Sequence, residues 1–310
     1  MARPQKLALP LLDGVGASAV ACPPGPWPLV IDFLAERLPK VARADWLARM
    51  SRGEVLDARG QVLLPEARYA ASTRIYYYRL LAAEHAIPFE ERIVFRDDHL
   101  LIADKPHFLP VTPKGRYVQQ TLLTRLKKAT GLADLSPIHR IDRETAGLVA
   151  FSVRPADRDA YQRLFRERAV GKVYEAIAPA PEHATQDLTL PFVYRSRLEE
   201  RADAFMQMAT VDGAPNAETA IALLERRGAL ARYELRPATG QKHQLRAQLC
   251  ALGLPIVGDR IYPRLLPEEV EPDYANPLRL LARELAFDDP VTGERRRFGS
   301  SLALEFPDAS

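Results

Sequence analysis

At 310 residues the chain has room for one large domain and a small one, and its 47% hydrophobic and 27% charged content is that of an ordinary globular protein. Two cysteines far apart, Cys22 and Cys250, exclude a disulfide framework and a thiolate zinc site and suit a reducing cytoplasm, while the absence of any apolar run of 18 residues or of a signal-peptide core predicts a cytoplasmic protein with no membrane partner. A formal net charge of +3 is weak evidence for a nucleic-acid partner, although residues 105–130 hold six Lys and Arg and no acid.

Residues 1–28 contain six prolines and read as a loosely ordered arm. Residues 29–80 read as a compact unit. LVIDFLAERLP carries apolar residues at helical spacing and stops at Pro39, and ARADWLARMSRGEV gives a second helix closed by Gly53. VLDARGQVLLP reads as a hairpin around Arg59 and Gly60, and STRIYYYR as a further strand. Two helices followed by a small sheet, with Arg43, Arg49 and Arg52 along the second helix, resemble the ribosomal-protein-S-four type of RNA-binding domain. A small helix–hairpin domain whose arginines merely face water has the same pattern. Arginine outnumbers lysine 35 to 8, but a GC-rich genome accounts for most of that excess.

Residues 81–90 form a linker, and residues 91–310 a larger domain. ERIVFRDDHLLIADKP predicts two strands joined at Asp97 and Asp98, TLLTRLKKATG a helix, GLVAFSV a strand, PADRDAYQRLFRERAV a helix and KVYEAIAP a strand. TAIALLERR and ALARYELRP predict two more strands, residues 241–252 a helix ended by Gly253, and LRLLARELAFDDP a last apolar segment. The elements interleave without a regular βαβ rhythm, so the fold class expected is α+β with a mixed, mostly antiparallel sheet. No phosphate loop or dinucleotide fingerprint occurs, and the histidines lack metal-ligand spacing, so neither cofactor nor metal is expected.

Three candidates carry chemistry. Asp142, flanked by Arg140 and Arg143 at the mouth of a strand, suits a carboxylate kept ionised for attack. Capping the RETAG turn, or pairing with Arg140, is the plainer reading of that stretch alone. In QKHQLRAQLCALG, Lys242 and Arg246 fall four residues apart on one helix face, an arrangement relieved by an anion above it. Tyr174 lies in a strand, where a tyrosine is usually a core residue, but it could stack on an extruded base and relay a proton.

These stretches carry a resemblance. HRIDRETAG is similar to the HRLDxxTSG motif of the RluA-type pseudouridine synthases, ADKPHFLPVTP to their KPxGLxVHP segment, and RERAVGKVYEAIAP to their tyrosine-bearing strand. TGQKHQLRAQLCALGLPIVGDRIYP resembles the GRxHQIRxHxxxxGhPIxGDxxYG block, and RLLARELAFDDP resembles RLxLHAxxLxFxHP. The five run in family order from about residue 91 to 290. The resemblance implies a pseudouridine synthase fold and an isomerase acting on large-subunit ribosomal RNA, tRNA or both. It implies Asp142 as the catalytic aspartate, Arg246 holding it ionised, and Tyr174 stacking on uracil. Arg140 would fill the gap left by a flipped nucleotide or grip its phosphate. Lys242, nearer the start of its helix, is expected to meet phosphate, and a monomer is expected. Ala146, Phe108, Gln241, Gln248 and Pro263 depart from the family pattern, which bears on the RNA target more than on the reaction. An inactive RNA-binding or ribosome-assembly protein would share the fold. A hydrolase using Asp142 would need a paired carboxylate or a Ser–His–Asp order, and neither is present.

Overall fold

In a computed structural model the structure is described for residues 7, 9–79, 84–185, 188–201, 206–267, 269 and 271–307. The chain divides into two compact units, one of residues 1–84, 114–119 and 124–133, the other of residues 85–113, 120–123 and 134–310.

The smaller unit contains β1 (Ser18–Cys22), α1 (Val30–Arg37), α2 (Arg43–Ser51), β2 (Val55–Leu56) and β3 (Thr73–Tyr77), with sheet order β1-β3-β2. Phe33, Leu34, Trp46 and Met50 are fully buried between the helices and the sheet, so the helical spacing seen in the sequence marks a core face. The hairpin around Gly60 is present as a bridge from Leu56 to Val62. The proline-rich arm, however, is not loose throughout. SAVAC alternates outward and inward side chains and pairs antiparallel with β3, from Ser18 opposite Tyr77 to Cys22 opposite Thr73. Upstream of it, Gly14 has φ 78°, and a Cβ there would lie 2.8 Å from the Thr124 carbonyl oxygen, so this stretch packs on helix α3 (Leu122–Thr130).

The larger unit is built on one eleven-stranded sheet. Its strands are β4 (Arg92–Arg96), β5 (Leu100–Lys105), β6 (Ser136–Pro137), β7 (Ala146–Ser152), β8 (Gly171–Pro179), β9 (Phe192–Glu200), β10 (Met208–Val211), β11 (Ala217–Arg227), β12 (Leu230–Pro237), β13 (Leu280–Asp288) and β14 (Arg295–Gly299). The order is β10-β9-β11-β12-β8-β13-β7-β5-β4, with β14 added to β13 and β6 to β7. Among the described residues every pairing is antiparallel except β7 with β13, which makes the sheet mixed and mostly antiparallel, as expected. Strands β9, β10 and β14 were not expected from the sequence. Helix α4 (Arg158–Arg166) buries Tyr161 against Leu100, Leu148 and Phe287, and its hydroxyl donates to Asp289. Helix α5 (Gln244–Ala251) buries Leu245 and Leu249 against Ala176, Ala178, Tyr233 and Leu280. No helix of the described residues is long and apolar enough to cross a membrane.

The single parallel contact depends on one glycine. Gly147 opposes Ala282 with φ 108°, and a Cβ there would stand 2.2 Å from the Ala282 carbonyl oxygen. Gly147→Ala must therefore push β7 off β13 and hold a disfavoured φ. The expected cost is about 3 kcal/mol or more, read as a lower urea midpoint. A midpoint equal to the parent's would mean that the two strands separate freely.

Candidate active site

The loop between β6 and β7 presents Asp142, with its side chain 31% exposed. Its sequence neighbours do not supply the cation that answers it. Arg143 pairs with Glu144 at 2.6 Å, and Arg140 is exposed with no hydrogen bond or ion pair to a described residue. The partner is Arg246, 104 residues away, whose Nη1 donates to Asp142 Oδ2 at 2.9 Å.

Arg246 is only 2% exposed, and what makes that tolerable is Asp259, whose side chain is fully buried. Arg246 Nε donates to Asp259 Oδ2 at 2.8 Å and Nη2 to Oδ1 at 2.7 Å, a bidentate fork that fixes the guanidinium plane. Asp259 Oδ1 also accepts from the backbone of Ile261 and Tyr262, so the carboxylate is itself held from two sides. Burial works against the charge of Arg246, but the hydrogen bonds and charges of Asp259 and Asp142 outweigh it, and the guanidinium is held above its usual range. The Tyr262 ring lies 5.6 Å from the guanidinium carbon, and its hydroxyl accepts from the Met208 N–H at 2.6 Å.

Arg246 reaches this position because α5 is buried from Gln244 to Leu249. Gln244 donates to Thr219 Oγ1 at 2.9 Å, and Gln248 donates to Ser196 Oγ at 3.0 Å and accepts from Thr219 Oγ1 at 2.6 Å. The two glutamines thus fix the helix to β9 and β11 with their polar groups satisfied. Gln248 stands where the resembled pattern often has histidine. The helix expected over 241–252 is about one turn shorter: His243, with φ 50°, lies outside it, and α5 starts at Gln244. Lys242 is therefore not on a helix face with Arg246. It is exposed and pairs with Glu200 of β9 at 2.8 Å, which corrects the reading of two cations sharing one face. His243 instead turns inward, its Nε2 3.7 Å from Asp142 Oδ1, and burial pulls its pKa down against the opposing charge of Asp142.

Tyr174 lies on β8 opposite Leu235 of β12 and Ala282 of β13. It shares its strand face with Ala176 and Ala178, the face that α5 covers, and this puts it on the side of the sheet from which Arg246 projects. The side chain is half-buried, and its hydroxyl has no hydrogen-bond partner among the described residues. Burial, and then the charge of Asp142, push its pKa up to about 12, so the phenol keeps its proton. Asp142, Arg246 and Tyr174 thus lie at one place in the larger unit. Asp259, His243 and Tyr262 join them without having been singled out in the sequence, although HQLR and GDRIY sit inside the block that carries the resemblance.

The arginines of α2, and Arg52 just after it, find partners within the smaller unit. Arg43 pairs with Asp32 at 2.6 Å, Arg52 pairs with Glu54 at 2.6 Å, and Arg49 lies over the Trp46 ring at 5.2 Å. Among the described residues no group of histidine, cysteine and carboxylate side chains is placed to hold a metal ion.

Residues 99–251 match the family described as RNA pseudouridylate synthase. The dual-specificity RNA pseudouridine synthase RluA of Haemophilus influenzae is 31% identical over 218 residues, covering 67% of this chain and 91% of that protein. The ribosomal large subunit pseudouridine synthase D of Pseudomonas aeruginosa is 28% identical over 229 residues, 70% of each chain. Among solved structures, human RNA Pseudouridylate Synthase Domain Containing 1 has a TM-score of 0.56 at 21% identity, over 70% of this chain and 86% of that one, a likeness of fold.

Proposed function

The chain belongs to the RluA-type family of RNA pseudouridine synthases, which are isomerases, and on that premise we propose that it acts through Asp142 on uridines of large-subunit ribosomal RNA, tRNA or both. The observation that carries this reading is the relay Asp259–Arg246–Asp142. A fully buried carboxylate aims a guanidinium, and the guanidinium holds a second carboxylate whose other side is open to a substrate. A merely structural ion pair would have no need to leave one end exposed.

In the proposed reaction the Asp142 carboxylate attacks either the anomeric carbon of the ribose or the uracil ring. The bond from uracil N1 to C1′ breaks, the base rotates, a bond forms from C5 to C1′, and the bond that Asp142 made to C1′ or to the ring breaks, which returns the carboxylate. The C5 proton is lost and N1 gains one, so the step balances as an isomerisation with no oxidant or reductant. Arg246 keeps Asp142 in one orientation. The target must leave its stack to reach this site, at a cost of a few kcal/mol that stacking and phosphate contacts offset. Tyr174 supplies a ring for stacking and an unsatisfied hydroxyl beside the reacting carboxylate. Because that phenol keeps its proton near neutral pH, it serves as a relay that gives up its own proton as it takes the one from C5.

Charge supports an RNA partner for the smaller unit. Its sequence holds 16 Lys and Arg against 8 Asp and Glu, a net +8 in a chain of +3, so the larger unit is net −5. Attraction to phosphate is thereby concentrated outside the unit that holds the carboxylates.

Mapping pseudouridines in total RNA of a deletion strain tests the function and names the target: one or more sites in ribosomal RNA or tRNA should revert to uridine. Loss of no site would refute the reading. Tyr174→Phe tests the relay. The ring still stacks, so RNA affinity should stay within about twofold, while turnover falls by roughly 10²-fold or more. Near-normal tritium release from 5-tritiated RNA would leave Tyr174 with stacking alone.

A further inference from the structure

We infer that Phe108 is a positioning residue for Asp142: clasped between Phe89 and Tyr274, its ring locks the turn after β5, and that turn fixes the two carbonyls that follow Asp142. The inference rests on the role proposed for Asp142 above.

The turn grips the Asp142 loop through its backbone. Lys105, the last residue of β5 and fully buried, donates from Nζ to the Arg143 carbonyl at 2.9 Å and to the Pro106 carbonyl at 2.9 Å. His107 Nδ1 lies 2.6 Å from the Glu144 carbonyl, and since a carbonyl only accepts, that nitrogen carries the hydrogen. Burial takes the His107 pKa down to about 4 and that of Lys105 to about 7, so neither donor gains charge without cost in this place. Two consecutive carbonyls after Asp142 are thus held by two side chains of one short turn.

Phe108 closes that turn with φ 65°. This is a conformation for glycine or asparagine, and a bulky side chain there is an outlier that persists only when its surroundings over-determine it. The surroundings are aromatic. The Phe108 ring stacks on Phe89 at 6.1 Å and 19° and meets Tyr274 edge-on at 5.1 Å and 87°. Phe89 and Tyr274 themselves meet at 5.4 Å and 87°, closing a three-ring cluster in which Phe108 is 6% exposed. Phe108, Arg143, Glu144 and Asp259 line one cleft, so the cluster, the gripped loop and the carboxylate that aims Arg246 are neighbours. A glycine in this turn would reach the same φ but would also leave it freely. The ring makes the strained conformation the one the turn keeps.

The test separates chemistry from binding and from folding. With saturating RNA in single turnover, Phe108→Gly and Phe108→Ala should each lower the rate constant about tenfold or more, since a misplaced reacting group is costly, with the dissociation constant for RNA within twofold. Phe108→Tyr keeps the ring and should restore the parent rate. Tyr274→Ala removes a partner ring without touching the turn, and should lower the same rate constant by a smaller factor. It decides the matter if the Phe108 variants lack a native circular dichroism spectrum. Parent rates in Phe108→Gly, or in Tyr274→Ala where that variant decides, would overturn the inference. So would a raised dissociation constant with intact saturated chemistry, which would make Phe108 an RNA contact. Asp142→Asn, run alongside, distinguishes the two levels. An active Asp142→Asn defeats the catalytic reading itself, whereas an inactive one beside a fully active Phe108→Gly defeats only the role of the ring.

Discussion

Asp142→Asn is expected to abolish pseudouridine formation, lowering tritium release by roughly 10⁴-fold or more, with RNA affinity within a few-fold of the parent's. The magnitude is that of losing a reacting nucleophile, as opposed to an orienting contact. The affinity expectation follows from charge: Asp142 is an anion facing an anionic substrate, and removing it takes away no attraction. Folding should be nearly untouched. The side chain is 31% exposed, Arg246 keeps both of its bonds to Asp259, and asparagine still offers a carbonyl oxygen to Nη1. Inactivity accompanied by a large loss of melting temperature would point to a structural role, and turnover within tenfold of the parent would remove Asp142 from the reaction.

Arg246→Ala is expected to have the second large effect, on stability and on chemistry at once. It strips the counter-charge from Asp259, whose side chain is fully buried, and breaking such a pair from one side costs about 3–5 kcal/mol. It also releases Asp142 from its only hydrogen bond to a cationic side chain among the described residues. Arg246→Lys separates the two effects. A lysine places one charge near both carboxylates but cannot make the fork to Asp259 and reach Asp142 together. It should recover part of the stability and still lose about a hundredfold in single-turnover rate. Recovery of the full rate by lysine would show that charge alone, and not the aimed guanidinium, is what Asp142 needs.

Much of this was legible in the sequence, and the parts that were not have identifiable causes. Helices α1, α2 and α4 and strands β5, β7, β8 and β12 follow apolar runs or periods that burial dictates, and the structure puts those faces in the core. The reading of 241–252 as one helix failed because helical spacing assumes helical backbone. His243 at φ 50° ends that assumption, sending Lys242 to Glu200 and leaving Arg246 between the buried Asp259 and the part-exposed Asp142. Strand β9, FVYRSRLEE, is largely half-exposed, so too few of its residues are apolar to mark it. Strand β1 was hidden among prolines, because five residues that complete a sheet edge carry little signal of their own.

The sequence by itself determined the elements with strong apolar runs or periods, the mixed α+β class and the identity of the chemical groups, since those follow from side-chain type and local period. It brought Asp142, Tyr174 and Arg246 forward through a resemblance to motifs. What it did not contain is who faces whom. Arg140 and Arg143 are the cations nearest to Asp142 in the chain, yet the cation that holds it comes from a helix 104 residues away, aimed by Asp259. Gly147 and Ala282 meet across the single parallel pairing, and Lys105 and His107 reach the carbonyls of Arg143 and Glu144 from another strand end. These relations arise because an ion can be buried only where its partners converge in space, and that convergence is set by the order of the strands.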